Sequence, residues 1–125
     1  MSEKIALITG VGPGTGSSLA RCFHKEGYKI AMIARDKDRL IDLENELENS
    51  KGFICDVRNL DSIEKTFNDV IDQFGYPDTF IHNAVRGTRG SFLDFTTKDL
   101  QSNFDTNVTA LLRFSQLAAW PAVRS

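Results

Sequence analysis

The chain is poor in cysteine, histidine and proline, and each scarcity narrows what it can be. Cys22 and Cys55 are the only cysteines of 125 residues, far apart and outside any C-x-x-C pair. Neither a disulfide framework nor a thiolate metal site is implied, and both read as buried or half-buried thiols in a reducing compartment. His24 and His82 are too isolated to suggest a metal centre, and no metal is expected. There is no basic tract, and the formal charge is −2 with acids and bases interspersed. Nucleic acid and anionic membrane surfaces are therefore not expected partners. Long apolar runs are also missing: Ile30-Ala31-Met32-Ile33-Ala34 is far too short to cross a bilayer. The first four residues lead straight into an apolar strand without the cleavage site of a secretory signal, so a cytoplasmic location is expected.

What is present is an alternation of short apolar runs with helical patterns. Residues 4–9 form a β-type run ending in glycines. Residues 16–26 place Leu19, Ala20 and Phe23 on one helical face, with Gly27 as a C′ residue. Lys29–Ala34 is a second buried run. Asp36 can cap a helix presenting Leu40, Leu43 and Leu47. A third strand is expected over 52–55. Residues 59–74 give the clearest helix, with Leu60, Ile63, Phe67, Val70, Ile71 and Phe74 as its stripe and Gly75 as its stop. Thr79–His82 is a fourth strand, and 83–90 is a polar loop. A last helix starts near Thr96 or Thr97 and carries Phe104, Val108, Leu111, Leu112 and Ser115. Continuous rather than alternating apolar strands suit a parallel sheet buried on both faces. The order β-α-β-α-β-α-β-α then predicts an α/β fold: a doubly wound parallel sheet of about four strands and four helices. Pro121 is expected to end or kink the last helix. Four strands leave a sheet edge open, so residues 1–125 are expected to be the N-terminal half of a longer domain. The alternative is a small domain that closes its edge by dimerising.

The most informative stretch is Ile8-Thr9-Gly10-Val11-Gly12-Pro13-Gly14-Thr15-Gly16, which follows the first strand and opens the first helix. A dinucleotide diphosphate needs that geometry. Amides at a helix N-terminus face the anion, the helix dipole favours negative charge, and glycines let the phosphate come close. The candidate cofactor-binding residues here are Gly10, Gly12, Pro13, Gly14, Thr15 and Gly16. No Gly-Lys-Ser/Thr follows, so a P-loop is excluded.

The spacing Thr9-Gly10-x-x-x-Gly14-x-Gly16 resembles the T-G-x-x-x-G-x-G signature of the short-chain dehydrogenase/reductase family. Asp56-Val57 follows the third strand, where that family places an Asp that holds the adenine amino group. His82-Asn83-Ala84-Val85 follows the fourth, where the family usually has Asn-Asn-Ala-Gly. His82 and Val85 depart from that pattern, while Asn83-Ala84 keeps its core. Asn107 lies inside the long helix where the family carries a catalytic Asn. The resemblance implies a Rossmann-type fold. It also implies Asp56, Val57, Asn83 and Ala84 as cofactor contacts, and Asn107 as a catalytic residue that binds a water in a proton relay.

Cofactor choice rests on the end of the second strand, Arg35-Asp36. An acid there binds the ribose 2′-OH of NAD, and an Arg accommodates the 2′-phosphate of NADP. Arg35 occupies the slot, so NADP is expected. NAD gripped by Asp36 is the rival. In a third reading Asp36 merely caps a helix while Arg35 points to solvent. The resemblance implies hydride transfer between NADP(H) and a small-molecule alcohol or carbonyl substrate, and a homo-oligomer when full length. It also implies a catalytic Ser and a Tyr-x-x-x-Lys pair. Tyr28 is followed four positions on by Met32 and Tyr76 by Phe80, so the 125 residues hold no such pair. The piece is expected to bind the dinucleotide without turnover. A catalytically inactive NAD(P)-binding sensor or scaffold is the alternative, and an isomerase or dehydratase on the same fold a third possibility. Arg86 and Arg89 are candidate contacts for an acidic substrate, or solvated loop residues.

Overall fold

A computed structural model describes residues 3–124, with side chains described through residue 120. The regular elements are β1 (Ile5–Thr9), α1 (Thr15–Lys25), β2 (Lys29–Ala34), α2 (Lys37–Glu46), β3 (Ser50–Ile54), α3 (Leu60–Gln73), β4 (Thr79–His82), α4 (Thr97–Phe104) and α5 (Ala110–Arg124). A 3-10 turn at Phe92–Asp94 precedes α4, and a π-helical turn at Asp105–Thr109 joins α4 to α5.

The four strands are parallel in the order β3-β2-β1-β4. Their continuous apolar character has its physical cause in this placement, because alternate side chains feed two separate cores. Leu7, Ala31 and Ile33 face α3 and α5, packing with Ile63, Phe67, Val70, Ala110 and Phe114. Ala6, Ile8, Ile30 and Met32 face α1 and α2, packing with Ala20, Leu40, Leu43 and Leu47. Helices on both faces of a parallel sheet make the doubly wound α/β fold.

Side-chain caps set the helix starts. Asp36 Oδ1 accepts from the amides of Asp38 and Arg39 at 3.0 and 3.2 Å, which starts α2. Asn59 caps α3 through Ser62 N at 3.0 Å. Thr96, rather than Thr97, caps α4 in a reciprocal pair with Asp99.

Several local expectations change. β3 starts at Ser50 rather than at residue 52. Pairing with β2 recruits the polar Ser50 and Lys51, opposite Ile30 and Ala31, which an apolar pattern does not mark. Leu60 is 48% exposed, because as the first residue of α3 it precedes the packed turns, and Thr66 is buried in its stead. Cys22 is exposed on the solvent side of α1, while Cys55 is buried as expected. The last helix is broken by the π turn, and its sheet-facing stripe is Thr106, Ala110, Phe114 and Leu117. Phe104, Val108, Leu111 and Leu112 lie on the opposite side, 43–58% exposed. Pro121 does not end the helix: α5 continues to Arg124. Proline deletes one N–H from the ladder and leaves the following bonds possible.

Candidate functional site

The connections leaving β1 and β4 diverge, β1 leading to α1 on one face of the sheet and β4 toward α4 and α5 on the other. A crevice opens where the winding reverses, at the carboxyl ends of the strands. It is a cleft of about 550 Å3 walled by the residues at the ends of all four strands, among them Gly10, Gly12, Arg35, Asp56 and Asn83, and by Thr106 of the π turn.

The β1–α1 turn divides its glycines between two jobs. A Cβ on Gly10 would stand 2.5 Å from Ala84 N, and one on Gly16 would overlap the Gly10 carbonyl oxygen, so both positions are closed by backbone. A Cβ on Gly12 or Gly14 would meet nothing within 4 Å. Gly14 also holds φ +117°, a conformation glycine alone adopts readily. It occupies the N-cap of α1 without any side-chain cap, and no acid lies in the first turn. The first amides of α1 thus lack a side-chain acceptor and keep the positive end of the helix dipole free of carboxylates. Ser17 Oγ donates to the Gly12 carbonyl and ties the turn to the helix. Gly10 and Gly12 line the cleft, Gly16 is buried, and Pro13, Gly14 and Thr15 are exposed outside its lining.

Thr9 joins this turn to β4. Its hydroxyl oxygen accepts from Asn83 N at 3.0 Å and Ala84 N at 3.2 Å, and Asn83 Nδ2 donates to the Gly10 carbonyl at 3.1 Å. With both lone pairs used, the Thr9 hydroxyl donates its own hydrogen to His82 Nδ1 at 2.9 Å. His82 Nε2 lies 2.8 Å from the Thr106 carbonyl, which can only accept, so Nε2 donates there. In the π turn Ala110 N donates to Asp105 O, five residues back, instead of to Thr106 O. His82 therefore takes up a carbonyl that the π register releases. Sequence reasoning set this histidine aside as an isolated departure from the family pattern. Its partners lie 73 and 24 residues away.

Arg35 is exposed on the cleft wall and forms no hydrogen bond or ion pair among the described residues. Asp36 spends Oδ1 on capping α2. Asp56 and Val57 line the same cleft, and so does Arg58, which sequence reasoning missed. Arg58 forms a two-pronged ion pair with Asp56, Nε to Oδ1 at 3.0 Å and Nη2 to Oδ2 at 2.9 Å, and its backbone N–H adds a third bond to Oδ1 at 3.0 Å. The Arg58 guanidinium holds the Asp56 carboxyl below the usual carboxylate range, against the opposing pull of partial burial, and the Arg35 charge adds to the effect.

Asn107 sits in the π turn, a rare feature often found at functional positions. Its Oδ1 accepts from Arg86 N at 3.0 Å and its Nδ2 donates to Arg86 O at 2.9 Å, which pins the loop after β4 against the helix. One N–H and one lone pair of the amide remain for other partners. Arg86 lines the cleft, whereas Arg89 is exposed and outside it. Among the described residues no group of His, Cys, Asp and Glu could hold a metal, and no helix is long and apolar enough to cross a membrane.

A parallel sheet wound in this order, with a glycine turn and an open crevice at its switch point, defines a dinucleotide-type α/β domain. The sequence profile of the family described as short chain dehydrogenase matches residues 4–123, and the chain belongs to that family. It is 29% identical over 120 residues to an uncharacterised oxidoreductase of Staphylococcus aureus strain N315, covering 94% of this chain and 52% of that protein. A similar uncharacterised oxidoreductase of Staphylococcus haemolyticus strain JCSC1435 is 29% identical over 114 residues, covering 90% and 49%. Among solved structures, an actinorhodin polyketide ketoreductase variant with NADPH superposes with a TM-score of 0.88 at 28% identity, over 95% of this chain and 48% of that one. A short-chain dehydrogenase/reductase variant of Serratia marcescens gives 0.89 at 21% identity, over 95% and 51%, a likeness of fold alone. The chain spans about half the length of the relatives it matches.

Proposed function

We propose that the chain is the dinucleotide-binding part of an NADP-dependent oxidoreductase that transfers hydride between NADP(H) and a small alcohol or carbonyl compound. The observation that carries this reading is the open space over Gly12 and Gly14, beside α1 amides that lack a side-chain acceptor. An anion fits there, and a side chain would fill the room. Gly10 through Gly16 would hold the diphosphate, Asp56 and Val57 the adenine, and Asn83 and Ala84 the far side of the cofactor. NADP, when bound, supplies or accepts the hydride.

The preference for NADP over NAD rests on two side chains. Among the described residues Arg35 forms no hydrogen bond or ion pair on the cleft wall, and its planar fork suits a phosphate. Asp36, the rival ligand for a ribose 2′-OH, is already engaged by two α2 amides. The neighbouring ketoreductase with NADPH accords with this choice.

Asn107 would join the loop after β4 to a proton relay, with its remaining amide hydrogen and lone pair available to a water. A Tyr-x-x-x-Lys pair is the family's means of exchanging a proton with the substrate, and these 125 residues contain none. The chain alone is therefore expected to bind nucleotide without reducing carbonyls.

Calorimetric titration with NADPH and NADH tests the cofactor assignment. Arg35→Ala should weaken NADPH by about tenfold or more, the scale of a charge-assisted bond, and leave NADH nearly unchanged. Equal losses for both nucleotides would remove the 2′-phosphate role of Arg35.

A further inference from the structure

The acceptor capacity of Asp56 can be counted atom by atom, and little of it is free. A carboxylate offers about four lone-pair positions. Oδ1 accepts from the Arg58 backbone N–H and from Arg58 Nε, both at 3.0 Å, and is full. Oδ2 accepts from Nη2 at 2.9 Å and keeps one position. Two prongs from one planar guanidinium orient the carboxylate, which a single bond would not. Asp56 and Arg58 both line the cleft.

We propose that Arg58 is a specificity-determining residue: by pairing with Asp56 it orients the carboxylate and leaves one acceptor position on Oδ2, which selects a purine with an exocyclic amino group over a 6-oxo purine. The inference rests on the dinucleotide reading above and adds to it a residue two positions beyond the Asp that the resemblance points to. An amino group donates to the remaining Oδ2 lone pair. A 6-oxo purine presents an acceptor there, and two acceptors repel. Such a ring does carry an N–H on the adjacent ring nitrogen, and a carboxylate free to rotate could turn to meet it. The Arg58 fork opposes that turn. Discrimination therefore comes from the clamp as much as from the carboxylate.

The test uses the 125-residue chain and two probes that differ at one position, NADPH and its reduced hypoxanthine analogue. Calorimetry on the unsubstituted chain should show NADPH bound about tenfold more tightly, as expected for one hydrogen bond to a charged acceptor gained or lost. Arg58→Gln removes the charge, and Arg58→Lys keeps the charge but loses the fork. Both should bring the affinity ratio to within about twofold of unity. Both leave the partly exposed site otherwise intact, and thermal melting confirms that each variant is folded. A merely structural loss would weaken the two nucleotides equally and leave the ratio where it was, and that result overturns the role of Arg58. Equal binding of the two probes by the unsubstituted chain overturns the reading of the amino group by Asp56. Failure to bind either probe overturns the dinucleotide reading itself.

Discussion

At the residue scale the β1–α1 turn separates glycines closed in by backbone from glycines that open onto free space. A Cβ on Gly16 would overlap the Gly10 carbonyl, so an added methyl must push the turn and the helix apart. Overpacking at so tight a contact costs about 1–3 kcal/mol. Gly12 has no neighbour within 4 Å of a Cβ and does not hold a positive φ, so the fold tolerates a methyl there. Gly12→Ala is expected to leave the urea midpoint unchanged while weakening NADPH about tenfold or more, because the methyl occupies the space a phosphate would take. Gly16→Ala is expected to lower the midpoint. Loss of stability in Gly12→Ala with unaltered nucleotide affinity would reverse the assignment.

At the element scale His82 joins three pieces of chain: β1 through Thr9, its own strand β4, and the π turn through the Thr106 carbonyl. Leucine at position 82 would leave the Thr106 carbonyl and the Thr9 hydroxyl without those partners. His82→Leu is therefore expected to destabilise the chain by about 1–3 kcal/mol in chemical denaturation. A variant as stable as the unsubstituted chain would show that water serves both groups equally well. The same element shows what could be read from sequence and what could not. β1, β2, β4, α1 to α3 and the glycine turn were legible because apolar periodicity and glycine spacing are local signals, whereas the polar start of β3 at Ser50 and Lys51 was not. The His82 bridge was not, since its partners are distant in sequence. The π turn was equally hidden, because one extra residue in a helical turn leaves no mark in an amphipathic pattern. It changes only which stripe meets the sheet, here Thr106, Ala110 and Phe114. Asp36 shows a subtler limit. An Asp after a strand can be a ribose ligand or a helix cap, and only the two amides bonded to it reveal the cap. Arg58 was overlooked for a related reason: arginine in a loop is commonly solvated, and nothing local marks the Asp56 fork.

For the whole molecule, two cores on opposite faces of one sheet hold the strand ends in register, and the cleft exists because windings on the two sides part at the β1–β4 boundary. The cradle proposed for the diphosphate is thus a property of the assembled sheet: Gly10 is seated against Ala84 of β4's loop, Gly16 against Gly10, and Thr9 against Asn83. A large apolar band remains uncovered on α4 and α5, with Phe104 52% and Leu112 58% exposed. It lies on the side of those helices away from the sheet, and none of Phe104, Val108, Leu111 and Leu112 lines the cleft. The most direct measurement is a 15N–1H NMR titration of the chain with NADPH. The amides of Gly12 to Ser17 should shift first and furthest, followed by Arg35, Asp56, Asn83 and Ala84. A saturating titration in which the Gly12–Ser17 amides stay still, or in which the shifts gather on another face, would contradict the cradle.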